Sequence, residues 1–314
     1  MIPAISPAQA PGFAPSVGFM TCTRPHVLIT GASSGIGRAT ALRLSADGHH
    51  VFAGVRKPDD GESLQQAARG DLSPLLLDVT DEGALARSAD RVSGHVGGRG
   101  LDALVNNAGI GAFWPLEIIS LADLRRQLEV NVVGQLAVTQ AFLPLLRVAQ
   151  GRVVMIGSIG DRITMPFAGP VAASKSAVAA ISDALRQELA PWAIAVVLLE
   201  PASIHTNAVD KLERDTERAV AGFDAEQREL YGATFPRAIQ AGLARERQGS
   251  PPDVVADAVA RALSTRRPRA RHLVGKDARR LAAIASLLPA SVLDRLRRRL
   301  FRLPAPGSRA IASR

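Results

Sequence analysis

The stretch GPVAASKSAV, Gly169–Val178, carries one ionisable side chain, Lys175. Its composition predicts the start of a helix. Residues four apart share a helix face, and one turn before Lys175 stands Val171. An ammonium can hold hydroxyls and can lower the pKa of a neighbouring acid. Valine has no proton to give or take. A second chemical motif is TGASSGIG, Thr30–Gly37, between an apolar run and a helical pattern. Gly31 permits a tight turn, and Gly35 and Gly37 allow backbone to approach a pyrophosphate and the sheet. Ser33, Ser34 and Ile36 lie between them. The helix that follows offers free N–H groups and a positive partial charge to phosphates.

An NAD site places an acid at the end of the second strand, to bind the ribose 2′-hydroxyl. Here the residues are Val55, Arg56 and Lys57, and Arg38 follows the glycine turn. Cations in place of an acid point to NADP over NAD, against the bland reading of two solvated loop charges. Asp78 stands at the end of the third apolar run, where its carboxylate meets the adenine amine or caps the next helix.

The elements that must carry these groups alternate. Apolar runs at His26–Thr30, His50–Val55, Pro74–Val79, Leu101–Gly109, Arg152–Ser158 and Ile194–Pro201 read as strands. They are continuously apolar, which suits parallel strands covered on both faces. Helical patterns occupy about 35–46, a segment through about Val92, Leu121–Leu146 with Pro144 near its end, and Val171–Ala190. A helix at Pro252–Ser264 and a strand at Arg271–Gly275 close the set. Strict alternation predicts an α/β fold: one Rossmann-type, doubly wound parallel sheet of about seven strands with helices on both faces. It spans residues 25–275, and the loosely patterned, charged insertion at 203–249, with an exposed helix at KLERDTER, reads as a substrate lid. Residues 1–24 read as a disordered leader, and 276–314 as a basic helical extension with amphipathic stretches at Asp277–Leu288 and Ala290–Leu303.

The charge is local. Of the net +9, residues 265–314 carry fourteen basic and two acidic groups, and the remainder nets −3. The tail has one aromatic residue, Phe301, for stacking, which argues against nucleic acid. LDRLRRRLFRL, within residues 290–303, suits either a peripheral contact with an anionic membrane or docking on its own domain. No uncharged apolar run reaches the ~20 residues a membrane span needs. One cysteine, Cys22, excludes an internal disulfide and fits a cytoplasmic setting. The six histidines show no ligand spacing, His49–His50 reading as a surface pair, and no metal is expected.

The glycine turn, NNAG at Asn106–Gly109, Ser158 and AASK with Lys175 together resemble the short-chain dehydrogenase/reductase family, over about Pro25 to Thr206. AGVRKP and LVGKDA look like its branch acting on retinoids, hydroxysteroids and similar alcohols. The resemblance implies hydride transfer between NADP and a small lipophilic alcohol or carbonyl compound, in a homo-oligomer. It implies that Asn106, Asn107, Ala108 and Gly109 line the cofactor and brace the sheet, and that Pro201 flanks it. Asn131 would hold a water in a proton relay. Ser158 would hydrogen-bond the substrate oxygen, and Lys175 would hold the ribose and tune a tyrosine. The family's tyrosine position is Val171. The chain's single tyrosine, Tyr231, lies in the lid. Ala193 and Ala202 stand where the family usually has glycine. Three readings stand open: a weakened or altered oxidoreductase, with His205 the best substitute acid and Ser174 and Ser176 poor ones; a cofactor-binding pseudoenzyme; or a membrane-surface scaffold.

Overall fold

The computed structural model describes residues 24–308. Seven parallel strands form one sheet in the order β3-β2-β1-β4-β5-β6-β7: β1 His26–Ile29, β2 His50–Val55, β3 Leu72–Leu76, β4 Ala103–Asn106, β5 Arg152–Ile156, β6 Ala195–Pro201 and β7 Arg271–Val274. Successive side chains point to opposite faces. Val27, Ile29, Val105, Val154 and Leu199 face a layer made by α1 Gly35–Ala46, α2 Pro58–Ala67 and α10 Asp253–Ser264. Leu28, Leu104, Val153, Met155 and Leu198 face α3 Glu82–Val96, α5 Gly134–Ala149 and α6 Gly169–Glu188. Both faces are dry, so the strands need apolar residues at every position. Burial of each Leu or Phe here stabilises the fold by about 1.5–3 kcal/mol. The order reverses between β1 and β4, and ligands of such sheets bind at the carboxyl ends beside that point.

Several elements depart from expectation. The sequence pattern gave no helix between β2 and β3, yet α2 forms there, with Pro58 in its first turn and Asp59 and Asp60 beside its amides. Its apolar content is low, so periodicity hides it. The third strand ends at Leu76, and Asp78 lies beyond it: its Oδ1 accepts from Thr80 N and Oγ1 in a local turn, while Asp81 caps α3. The fifth strand stops at Ile156, before Ser158. The expected long helix runs as α4 Leu121–Leu128, a wide turn at Glu129–Val133 and α5. In the wide turn Gly134 N donates to Glu129 O, five residues back. Residues 121–149 are long and apolar enough to cross a membrane by length and composition. In the fold Val138, Phe142 and Leu146 pack this helix against the sheet. Pro144 sits inside α5, not at its end. The insertion after β6 is three helices, α7 Ala208–Ala221, α8 Ala225–Tyr231 and α9 Thr234–Arg247.

The extension is packed, not free. It forms α11 Ala278–Leu287 and α12 Ala290–Leu300. Leu293 and Phe301 are buried, and the Arg245 guanidinium lies 5.7 Å from the Phe301 ring. Leu296, expected on the same stripe, faces out with Leu288 and Val292, and Leu287 is 79% exposed. Residues 1–23 and 309–314 lie outside the described residues, so the leader expected there is not described.

The histidines are less scattered than the sequence suggests. His50 is no surface group: its ring lies 4.8 Å from Phe52, 4.3 Å from His95 and 5.7 Å from His26. Burial first, then the charges of His95, His26 and Arg24, pulls the His50 pKa down to about 4. Burial and Arg99 also lower that of His26, against Asp102. Among the described residues no group of three or more His, Cys, Asp or Glu is placed to hold a metal ion. Neutral imidazole is therefore the folded form. Its contribution is complete above the unfolded value of 6.5 and is lost as pH falls from there towards about 4. The urea midpoint should drop over that window, and His50→Phe should flatten the drop. An equally steep profile in the variant would place the acid sensitivity elsewhere.

Candidate functional site

The cofactor cradle is built where β1 and β4 end. Thr30 Oγ1 accepts from Asn107 N and Ala108 N, each at 3.0 Å. Asn107 Nδ2 donates to Thr30 O at 2.9 Å and Gly31 O at 3.0 Å. The glycine turn is thus locked to the neighbouring strand. Gly31 has φ +65°, a conformation glycine adopts without strain. A Cβ on Gly37 would stand 2.2 Å from Gly31 O and 2.5 Å from Asn107 Nδ2, so only glycine fits. Ser34 precedes α1 without a side-chain hydrogen bond to the helix, and Gly35 and Ile36 open its first turn. The first-turn amides of α1 therefore lack a side-chain cap, and Ser33 is partly exposed beside them. That is the cradle a dinucleotide pyrophosphate requires, and these residues fit such a group.

Arg56 and Lys57 are exposed where β2 ends, and Arg38 is half-exposed in the first turns of α1. The Thr80 amide and hydroxyl hold the Asp78 carboxyl below its usual range, and the charge of Arg56 adds to this. Arg56 and Asp78 therefore stand near one another, on the side where strand order puts the adenosine. Pro201, buried, ends β6, and Ala202 N donates to Val274 O at 2.9 Å.

Ser158 opens a short 3-10 turn, Ile159–Asp161, and its Oγ accepts from Gly160 N at 3.0 Å. Its own proton has no acceptor among the described residues. Lys175, on α6, donates from Nζ to Ile156 O at 2.7 Å, so both residues gather at the end of β5. Burial pulls the Lys175 ammonium down to about 8. Val171 is half-buried one turn earlier, and its Cγ2 lies 3.9 Å from the Cβ position of Gly111, beside Phe113.

The Asn131 side chain grips the loop after β4. Its Oδ1 accepts from Ile110 N at 2.8 Å, and its Nδ2 donates to Ile110 O and Ser174 Oγ. It sits in the wide turn, a feature that recurs at functional sites. Gln127 and Gln135 flank it at intervals of four and hold the same loop: Gln127 grips Ile110 O and Ala112 N, and Gln135 Nε2 donates to Ala108 O. The sequence reading missed both. Their signal was three amide side chains spaced four apart, which share one helix face. Gly109 lies close against Asn131 Oδ1, and Asn106 turns away to donate to Thr139 Oγ1 at 2.8 Å, so it braces α5.

His205 is exposed. Ser176 is exposed too, and Ser174 Oγ donates to Val171 O at 2.7 Å. Tyr231 comes over the α6 N-terminus but donates to Glu117. Beside it lies a cavity of about 400 Å³ walled by Leu116, Met165, Phe167, Gly169, Tyr231 and Leu303, which neither Ser158 nor Lys175 lines. Phe167 has φ +65°, uncommon for a bulky residue, and its ring meets Phe235 at 5.3 Å. With Phe113, Trp114 and Phe223 these residues form an apolar cluster roofing this end of the sheet.

Residues 25–217 match the family described as short chain dehydrogenase. The chain is 34% identical over 276 residues to the NADPH-dependent 3-dehydrocapnine reductase of Ornithobacterium rhinotracheale, covering 86% of this chain and 95% of that one. It is 37% identical over 277 residues to mouse retinol dehydrogenase 5, covering 85% and 86%. A solved short-chain dehydrogenase from Streptomyces avermitilis superposes with a TM-score of 0.69 at 28% identity, over 89% of this chain and 96% of that one.

Gly37→Ala should destabilise the protein by about 1–3 kcal/mol, because the cradle must open to admit the methyl. Thermal unfolding measures this, and an unchanged midpoint would mean that the turn yields freely.

Proposed function

The chain belongs to the short-chain dehydrogenase family, and on that premise we propose that it binds NADP(H) and interconverts a lipophilic alcohol and its ketone or aldehyde, with turnover lowered by Val171. The observation carrying this is the meeting of Ser158 and Lys175 at the end of β5, next to the glycine cradle. The bound nicotinamide supplies or accepts the hydride. The chain's own residues do the rest. Ser158 donates to the substrate oxygen. Lys175 holds the ribose hydroxyls from below. The cradle fixes the pyrophosphate, and the roof of Phe113, Trp114, Phe167 and Phe235 excludes water and receives an apolar substrate body. Arg56 and Lys57, with no acid at that strand end, favour a 2′-phosphate, and the NADPH-dependent relative supports the same choice.

The test is NADPH binding and turnover of the wild type beside Val171→Tyr, on one panel of lipophilic aldehydes and ketones. Loss of a general acid costs ~10²–10⁴-fold, so the tyrosine variant should gain by up to that factor. Arg56→Glu should weaken NADPH binding more than NADH binding. Binding by both proteins with turnover by the variant alone would make the natural chain a cofactor-binding pseudoenzyme. Light scattering on the same samples reads the homo-oligomer expected of the family.

A second surface favours a peripheral membrane contact. Leu287, Leu288, Val292 and Leu296 are exposed beside Arg295, Arg298, Arg299 and Arg302. Such a ridge suits an anionic lipid surface, where a lipophilic substrate is met. Vesicles rich in anionic lipid should float the wild type and release a Leu288→Glu/Leu296→Glu variant. Equal flotation of both would exclude this face.

A further inference from the structure

Carbonyl reduction needs a proton on oxygen as well as a hydride on carbon, and Val171 cannot supply it. The groups around the site leave few sources. Ser174 has committed its proton to Val171 O. Asn131 and Gln127 are neutral amides bound to the loop at Ile110. His205 and Ser176 face solvent. Tyr231 donates to Glu117. Asp161 is drawn towards β7 by Arg271 and is packed against Glu200, itself gripped by Arg162 through two hydrogen bonds.

Lys175 differs from all of these. Only one of its three N–H groups is engaged among the described residues, with Ile156 O at 2.7 Å, and it has no ion pair there. Ser158 lies two residues beyond Ile156, about 7 Å along extended chain. A carbonyl oxygen accepting from Ser158 on the side that faces α6 would be reached from Nζ through one water. Val171 is on the same helix face one turn earlier, so nothing ionisable stands between the amine and that oxygen.

We propose that Lys175 is itself the proton donor of this enzyme, acting in place of the phenol the chain lacks. This rests on the oxidoreductase reading above. In reduction, the carbonyl carbon receives a hydride from the reduced nicotinamide, and the C=O π pair moves to oxygen. That oxygen takes a proton from the Lys175 ammonium. The carbonyl is reduced by two electrons to the alcohol, and the dinucleotide is oxidised by two. Lys175 is left as a neutral amine and is reprotonated from solvent. The reverse reaction starts from the neutral amine as base. Burial supports this, since it brings the ammonium down to about 8, where the acid form dominates at neutral pH and still releases its proton. Reduction should slow as pH rises through that value, and oxidation should accelerate.

The first readout needs neither cofactor nor turnover. Competitive acetylation of the full chain, over roughly pH 6 to 11, is read peptide by peptide for Lys57, Lys175, Lys211 and Lys276. Lys175 should titrate near 8. The second readout is Lys175→Arg, which keeps the charge and the donors but cannot release a proton. Assayed at saturating NADPH, with binding measured directly, it should lose ~10²–10³-fold in kcat. The alkaline limb of its reduction profile should vanish. Titration of Lys175 at the ordinary value overturns the proposal. So does an Arg variant that keeps the limb. In either case wild-type turnover would leave the oxidoreductase reading standing, with the donor elsewhere. Absence of wild-type turnover with NADPH bound would defeat both.

Discussion

The grip of Asn107 and Thr30 across the ends of β1 and β4 is the contact on which the rest of the site depends. One hydroxyl accepts two backbone amides, and one carboxamide donates to two carbonyls. These bonds lock the two strand ends to one another. They also set Gly31 and Gly37 against each other at a spacing that admits no side chain. From that junction the chain runs through Ala108–Ala112, which three amides of the α4–α5 helix hold in place. The wide turn at Glu129–Val133 is what aims the middle one inward. Buried amides left half-bonded would cost about 1–3 kcal/mol each, so the loop and the helix fix one another.

On the other side of the same face, ion pairs join β6, β7, α6 and the turn after Ser158. Glu200 is fully buried at the end of β6 and is answered by Arg162 and Arg271. Arg271 also reaches Asp161 and Asp183, which ties β7, α6 and the turn after Ser158 together. Burial and the neighbouring Glu200 push the Asp161 carboxyl up to about 6, so this buttress is sensitive to charge. Val171 is set into a frame that is otherwise kept in register.

Much of this was legible before any coordinates. Continuous apolar runs announced a sheet covered on both faces, and the glycine turn announced its cradle, because both follow from local chemistry. What stayed hidden depends on partners distant in sequence. Asp78 read as a strand end and proved to be a turn residue holding Thr80, since strand ends are set by neighbouring strands. The clamp of Asn131 on Ile110 was hidden for the same reason, since the two are joined only in the fold. His26, His50 and His95 looked scattered because three separate elements carry them to one spot. The helix α2 escaped because its residues are mostly polar and only Gly61 and Leu64 are buried. The stripe on α12 was half right: Leu293 turns in and Leu296 turns out, because the helix is docked along one edge only.

Phe301 gives the end of the described chain a mechanical meaning. It is 4% exposed, lies under Arg245 and comes close to Gly242, both on α9. Two further residues on, Leu303 forms part of the wall that Phe167 and Tyr231 share. The helix α9 in turn carries Phe235, Ile239 and Leu243 into the aromatic roof. Through one aromatic ring, the turn after α12 is therefore anchored to the same helix that builds the roof, and through Leu303 to the wall of the cavity beside it.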